Sequence, residues 1–262
     1  MELNLKGKRA IVCGSTQGIG KASAIELALL GASVILVARD EEKLEKTRKE
    51  LDISMGQKHH YIVADFNFPP ELGLRVEEFI AETGPVHILV NNTGGPAGGP
   101  IVNAKVEEFV HTFNAHLVAN HLLVKAVIEG MKAEKYGRII NIISTSVKVP
   151  IHGLGVSNTI RAAVANWSKT LSNELGIYGI TVNNVLPGPT NTQRLQTIAE
   201  KKSAATKQKP EEVLNEMAAE VPMKRIASPA EVAAAVAFLA SPAASYITGI
   251  NLPVDGGRTG SL

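Results

Sequence analysis

The stretch Cys13-Gly14-Ser15-Thr16-Gln17-Gly18-Ile19-Gly20 constrains the chain more than any other, because it joins an apolar run to an amphipathic one through three glycines. Ala10 to Cys13 reads as a buried strand, and from Ile19 onward Ala22, Ile25, Ala28 and Leu29 recur at helical spacing. Gly14 permits a tight turn, Gly18 lets backbone N–H groups come close to a pyrophosphate, and Gly20 lets the helix pack against the sheet. The helix N-terminus then faces the anion. A glycine-rich turn alone is a weak signal, and the alternative is an ordinary strand-to-helix turn. The strand before it and the helix after it supply the context that a dinucleotide needs.

Further along, apolar runs alternate with helical patterns. Strands are expected at Ser33–Ala38, His60–Ala64, Val86–Val90, Arg138–Ile143, Ile180–Leu186 and Tyr246–Val254. Helices are expected at Glu41–Leu51, from Pro69 and Pro70 to Thr83, along Val106, Phe109, Val110, Phe113 and Leu117, along Ile160, Val164, Trp167, Leu171 and Leu175, and after Ser228-Pro229. Between them lie the glycine- and proline-crowded loop Asn91 to Pro100 and a Lys-rich, mobile-looking stretch from Gln193 to Val221, interrupted by Pro210. Seven strands alternating with helices predict one α/β domain over residues 1–262, a Rossmann-type, doubly wound, seven-stranded parallel sheet with helices on both faces.

Composition narrows the partners. The 27 Lys and Arg against 25 Asp and Glu leave a net charge of +2, which provides no general attraction for nucleic acid or anionic membranes. A single cysteine excludes an intrachain disulfide framework and suits a reducing compartment. No apolar run approaches the ~20 residues of a membrane span, and the chain opens without a signal-peptide pattern, so the cytoplasm is the expected location. His111, His116 and His121 are five apart, which spreads them around a helix, and no metal site is expected.

At the end of the second strand Ala38 occupies the place where an acidic side chain would hold a ribose 2′-hydroxyl, and Arg39 follows, suited to a 2′-phosphate. This favours NADP(H) over NAD(H), although Asp40 beside it blurs the signal.

The order of motifs resembles the short-chain dehydrogenase/reductase family along nearly the whole chain, nearest its 3-oxoacyl-carrier-protein reductase-like members. Gly14 to Gly20 is similar to the family's TGxxxGIG with Cys13 for Thr, and Asn91-Asn92-Thr93-Gly94 to its NNAG. Asp65, Asn114, Ser144 in GRIINIIS, Pro187-Gly188 with Thr192, and the tail with Arg225, Ser228-Pro229, Gly249 and Val254 to Gly257 complete the series. The resemblance implies a cofactor site formed by Gly14, Ser15, Thr16, Gln17, Gly18, Ile19, Gly20, Arg39, Asp65, Phe66, Asn92, Thr93, Gly94, Arg161, Pro187, Gly188, Thr190 and Thr192. It also implies a homo-oligomer, most simply a tetramer, and a substrate cover at about 193–221.

The resemblance breaks at one place. The family's YxxxK is due thirteen residues after Ser144, and the chain there reads Ser157-Asn158-Thr159-Ile160-Arg161. Ser157 stands for the Tyr and Arg161 for the Lys. An aliphatic hydroxyl is a far weaker acid than a phenol, and a guanidinium donates hydrogen bonds but relays no proton. Asn114, Ser144, Ser157 and Arg161 are therefore the candidate catalytic residues, with His152 a possible surrogate acid. The expected function is an NADP(H)-dependent oxidoreductase acting on a carbonyl or alcohol with an atypical active site. The alternative is a catalytically impaired protein that binds the nucleotide as a sensor or serves as a partner subunit.

Overall fold

A computed structural model of the chain describes residues 1–261. Its strands are β1 (Arg9–Cys13), β2 (Ser33–Ala38), β3 (His60–Val63), β4 (Ile88–Asn91), β5 (Gly137–Ile142), β6 (Ile180–Pro187) and β7 (Asn251–Val254). They form one parallel sheet in the order β3-β2-β1-β4-β5-β6-β7. The order reverses between β1 and β4, and ligands of open α/β sheets bind beyond the strand ends at such a point. The helices are α1 (Gly18–Leu29), α2 (Glu41–Lys49), α3 (Pro69–Thr83), α4 (Val106–Phe113), α5 (Ala119–Ala133), α6 (Gly155–Leu175), α7 (Gln193–Thr206), α8 (Pro210–Ala219) and α9 (Pro229–Ala240).

Side-chain alternation along the strands divides the core into two layers. Ala10, Val12, Ile88, Val90, Ile140 and Val185 pack with Leu27 of α1 and with Val232, Val236 and Leu239 of α9. Ile11, Cys13, Leu89, Ile139 and Val182 face the other way, onto Leu72 and Val76 of α3, Leu123 and Val127 of α5 and Leu175 of α6. Burial on both faces is why these strands are near-continuous apolar runs. The helix after Ser228 starts as expected: Pro229 takes the first helical position, and the Glu231 carboxylate accepts the Ser228 N–H at 2.8 Å.

Two expectations need revision. The last strand begins at Asn251, not at Tyr246, because Gly249 turns through φ +72° and side chains do the pairing before it. The Val182 N–H donates to Thr248 Oγ1 at 3.0 Å, and Asn183 Nδ2 donates to the Ile247 carbonyl at 2.8 Å. The stretch 193–221 is not loose chain with helical patches; it forms the two ordered helices α7 and α8, packed on one another. The break falls where Lys207 adopts φ +61° and Pro210 opens the next helix.

A row of asparagines crosses the sheet near the C-terminal ends of three strands. Asn91, Asn141 and Asn184 stand opposite one another in register, and Asn251 continues the row. Asn91 Nδ2 donates to Asn141 Oδ1 at 2.8 Å, Asn141 Nδ2 to Asn184 Oδ1 at 3.0 Å, and Asn184 Nδ2 to Asn251 Oδ1 at 2.8 Å. Asn141 is fully buried, and both its donor and its acceptor are used. Each stranded buried polar group costs about 1–3 kcal/mol. Asn141→Leu leaves one donor and one acceptor stranded and is expected to destabilise the protein by about 2–4 kcal/mol, read as a lower urea midpoint at unchanged slope; an unchanged midpoint would show that the row carries no stability.

Candidate active site

The glycine turn between β1 and α1 is built by what its residues lack. Gly14 has φ +58° and Gly18 φ +54°, both in the left-handed region. A β-carbon on Gly14 would lie 2.7 Å from Asn92 Nδ2 and from the Asn92 carbonyl oxygen, and one on Gly20 would lie 2.2 Å from the Gly14 carbonyl oxygen. Gly20 thus makes room for the turn's own backbone where α1 comes up against the end of β1. Asn92 Nδ2 donates to the Cys13 and Gly14 carbonyls at 3.2 and 3.4 Å and so ties the next loop to the turn. Buried Ser15 points its hydroxyl back to the Val37 carbonyl at 3.5 Å. Thr16 is half-buried, Gln17 is exposed and Ile19 packs against the core. Burial of the Cys13 thiol behind the turn pushes its pKa up to about 12.

Past β2, Arg39 is exposed. The neighbouring Asp40 is already committed: its carboxylate caps α2 by accepting the Lys43 N–H at 3.1 Å and pairs with Lys43 Nζ at 2.7 Å. The Asp40 carboxylate is thus engaged within its own helix, while Arg39 beside it stays exposed. Asp65 and buried Phe66 follow the end of β3, with Asp65 accepting the Asn67 N–H at 2.9 Å.

The loop after β4 is held from both sides. The Gly99 N–H donates to the Gly153 carbonyl at 2.7 Å, joining it to the turn before α6. Below it, α4 and α5 run on through a π-helical turn, Asn114–Val118. The wide turn leaves Asn114 exposed and sends His116 inward, 5% exposed, where Nε2–H donates to the Gly94 carbonyl at 3.1 Å. Burial first, and the charge of Arg161 second, hold the His116 pKa down at about 3, so the ring is neutral. His111 and His121 stay exposed, His121 edge-on to Trp167. Sequence spacing showed that the three histidines do not align, but it missed that His116 positions the Thr93-Gly94 loop.

At the end of β5 the turn that follows Ser144 packs against α6, which carries Ser157 and Arg161. Ser144 Oγ accepts the Ser146 N–H at 3.1 Å. On α6, Arg161 Nε donates to Ser157 Oγ at 3.3 Å, and Nη1 donates to the Ile142 and Ile143 carbonyls at 3.2 and 3.0 Å. Arg161 is therefore fixed against the backbone of the two residues that precede Ser144. Burial and the nearby Arg194 push its pKa down to about 10, still charged at neutral pH. His152 is exposed in the turn before α6, and among the described residues no hydrogen bond links it to Ser144, Ser157 or Arg161.

The segment after β6 closes the cleft. The Gly188 N–H donates to the Val254 carbonyl at 3.0 Å, and Thr190 is buried against Ala227. Thr192 caps α7 by accepting the Leu195 N–H at 3.3 Å. A β-carbon on Gly18 would lie 3.2 Å from Thr192 Cγ2, so this cap sits across the glycine turn. Two residues on, Arg194 donates to the Pro96 carbonyl. Sequence reading passed over Arg194, since nothing local marks a contact with a loop 98 residues away. Among the described residues no group of three His, Cys, Asp or Glu could hold a metal ion.

A glycine cradle at the switch point of a doubly wound sheet, with serine and guanidinium groups at the end of β5, defines a dinucleotide-binding α/β protein. The family model for enoyl-(acyl carrier protein) reductase matches residues 14–259, and the chain belongs to the short-chain dehydrogenase/reductase family. It is 34% identical over 259 residues to the NADPH-dependent reductase BacG of Bacillus subtilis (strain 168), covering 97% of this chain and 99% of that protein. It is also 34% identical over 255 residues to the 3-oxoacyl-[acyl-carrier-protein] reductase FabG of Vibrio cholerae, covering 97% and 98%. The L-sorbose reductase of Gluconobacter frateurii, solved with NADPH and L-sorbose, superposes with TM-score 0.93 at 31% identity over the full length of both chains.

Neutral, buried His116 has a pH consequence. Its folded pKa lies below the usual 6.5, so no stability is lost above that pH; below it the unfolded chain binds a proton the folded chain refuses, down to about 3. The wild type is expected to lose roughly 2 kcal/mol more stability than His116→Asn between pH 6.5 and 4.5. Parallel denaturant titrations with equal pH slopes would contradict this.

Proposed function

We propose that the chain is an NADP(H)-dependent oxidoreductase of a small carbonyl compound or the corresponding alcohol, working without a tyrosine acid. In this reading Ser157 and Arg161 stand where the family has its Tyr and Lys. The observation that carries it is the Ser157–Arg161 pair, with Arg161 joining Ser157 to the carbonyls of the two residues before Ser144. The NADPH-dependent reductases among the relatives support the cofactor.

The residues present fit that cofactor. Gly14 and Gly18 form a cradle that a β-carbon would fill, the N–H groups opening α1 suit a pyrophosphate, and Arg39 is placed for a 2′-phosphate while Asp40 is occupied. Asp65, Phe66, Asn92, Thr93 and Gly94 would hold the adenosine side and Pro187, Gly188, Thr190 and Thr192 the nicotinamide side. The cofactor supplies a hydride for the carbonyl carbon. Ser144 donates a hydrogen bond to the substrate oxygen, Arg161 stabilises charge developing there, and the proton comes from water. Asn114 lies on the π-helical turn that packs against α6, and in this reading it would hold that water. Losing a positioned general acid costs about 10²–10⁴ in rate, which leaves the share owed to orientation and electrostatics.

Val106, Val110 and Phe113 of α4 are 72%, 55% and 41% exposed at helical spacing, an apolar stripe that supports a homo-oligomer, most simply a tetramer. No helix among the described residues is long and apolar enough to cross a membrane. The cytoplasm remains the proposed location. Light scattering is expected to give a multiple of the 27.8 kDa chain, and Val110→Glu to lower it; a monomeric wild type would refute the oligomer.

Two further outcomes test the reading. Arg39→Ala should weaken NADPH binding by about 10- to 100-fold, the worth of a charge-assisted pair, and leave NADH unaffected. Equal calorimetric losses for both cofactors would remove Arg39 from the 2′-phosphate. Ser157→Tyr with Arg161→Lys should raise reduction of small ketones by NADPH, recovering part of the ~10²–10⁴ owed to a general acid, and each single change should recover less. A double variant slower than a fast wild type would show that the protein already uses another acid.

A further inference from the structure

Arg161 and Arg194 meet at Gly95. A β-carbon on Gly95 would lie 3.4 Å from Arg161 Nη2 and 3.5 Å from Arg194 Nη2, so these two nitrogens are at most about 7 Å apart. Like charges this close repel, yet both side chains are held in place. Arg161 is fixed through Nε and Nη1 by Ser157, Ile142 and Ile143, and Arg194 through Nη2 by the Pro96 carbonyl. Both are half-buried. Among the described residues neither guanidinium has a carboxylate within 4.0 Å, whereas Arg48, Arg75, Arg225 and Arg258 each pair with a glutamate. Arg138 is also buried without an acid, but it donates to three backbone carbonyls at the opposite end of the sheet and is satisfied there. At Gly95 the donor Arg161 Nη2 makes no hydrogen bond to the described residues.

We propose that the Arg161 and Arg194 guanidinium groups, with bare Gly95 between them, form the seat of a carboxylate on the substrate, so that the substrate is an oxo acid or its hydroxy acid. This rests on the reading that the carbonyl reacts beside Ser144. The cofactor's own anions have seats elsewhere: the glycine turn before α1 for the pyrophosphate, and Arg39 beyond β2 for a 2′-phosphate. The Arg pair instead adjoins the end of β5, one residue from Ser144 through the Ile143 carbonyl. Two planar forks suit a planar carboxylate, and their positions are set before any ligand arrives. The repulsion between them is relieved only when an anion enters.

The test uses NADPH-saturated full-length protein and pairs of probes. Pyruvate, acetoacetate and levulinate are each compared with their methyl esters in kcat/KM, and benzoate with benzamide in calorimetry. At least one acid is expected to be preferred over its ester by about tenfold or more, and benzoate over benzamide likewise. Arg194→Gln should bring both ratios near parity with NADPH affinity unchanged within about twofold, and Arg194→Lys should keep part of the preference. Parity in the wild type overturns the proposal, as does a preference that survives Arg194→Gln. A tenfold loss of NADPH affinity in Arg194→Gln with the acid preference intact also overturns it, assigning the pair to a cofactor phosphate. Benzoate selectivity that depends on Arg194 but comes without turnover supports the seat and removes the oxidoreductase reading instead.

Discussion

The buried amide row Asn91-Asn141-Asn184 holds three strand ends in one register, and the parts that matter to function start within a few residues of it. Asn92 follows Asn91 and ties the β4 loop to the glycine turn. Ser144 follows Asn141 by three residues, and Pro187 follows Asn184 by three. A slip of one residue in any of these strands would break an amide pair in a buried setting and turn its side chains to the other face. The row thus converts sheet register into site geometry: the glycine turn, the serine and the segment after β6 keep their relative heights because their strands are pinned side chain to side chain.

On that frame the electrostatics are one-sided. The cleft gathers Arg39, Arg161 and Arg194, while the acid nearest Arg39, Asp40, is spent on capping α2. His116, which would add a further charge, is kept neutral by burial and by Arg161. A cleft of this kind favours anionic ligands at both ends, and Arg161 and Arg194 sit on backbone carbonyls and a hydroxyl instead of carboxylates. Such anchoring fixes position without neutralising charge. Fixed charge stabilises a developing oxyanion, whereas a titrating phenol would protonate it.

Much of this was legible in the sequence wherever one local rule decides. β2 falls at Ser33–Ala38 as read, because a fully buried parallel strand admits only an apolar run there. Gly14 announced a tight turn after the first strand, and Ser228-Pro229 announced a helix start. What escaped depends on pairs distant in the chain. Each asparagine of the row reads alone as a polar interruption of a strand, since its partners lie 50, 43 and 67 residues away. The late start of β7 rests on the Asn183 side chain taking the place of backbone pairing, and order in 193–221 on α7 packing against α8. Arg194 and His116 belong to the same class: their meaning lies in Pro96 and Gly94, which no periodicity connects to them.

In the proposed function this cleft reduces a carbonyl with fixed charge and water instead of a titrating side chain. The most direct measurement is the pH dependence of the single-turnover rate of carbonyl reduction by the NADPH-loaded protein. Ser157 does not titrate in the accessible range, and Arg161 stays charged up to its pKa of about 10. The rate is expected to be flat between about pH 6 and 9. A rate that instead falls through an apparent pKa of about 6–7, and loses that limb in His152→Ala, would place an imidazole acid in the site and contradict it.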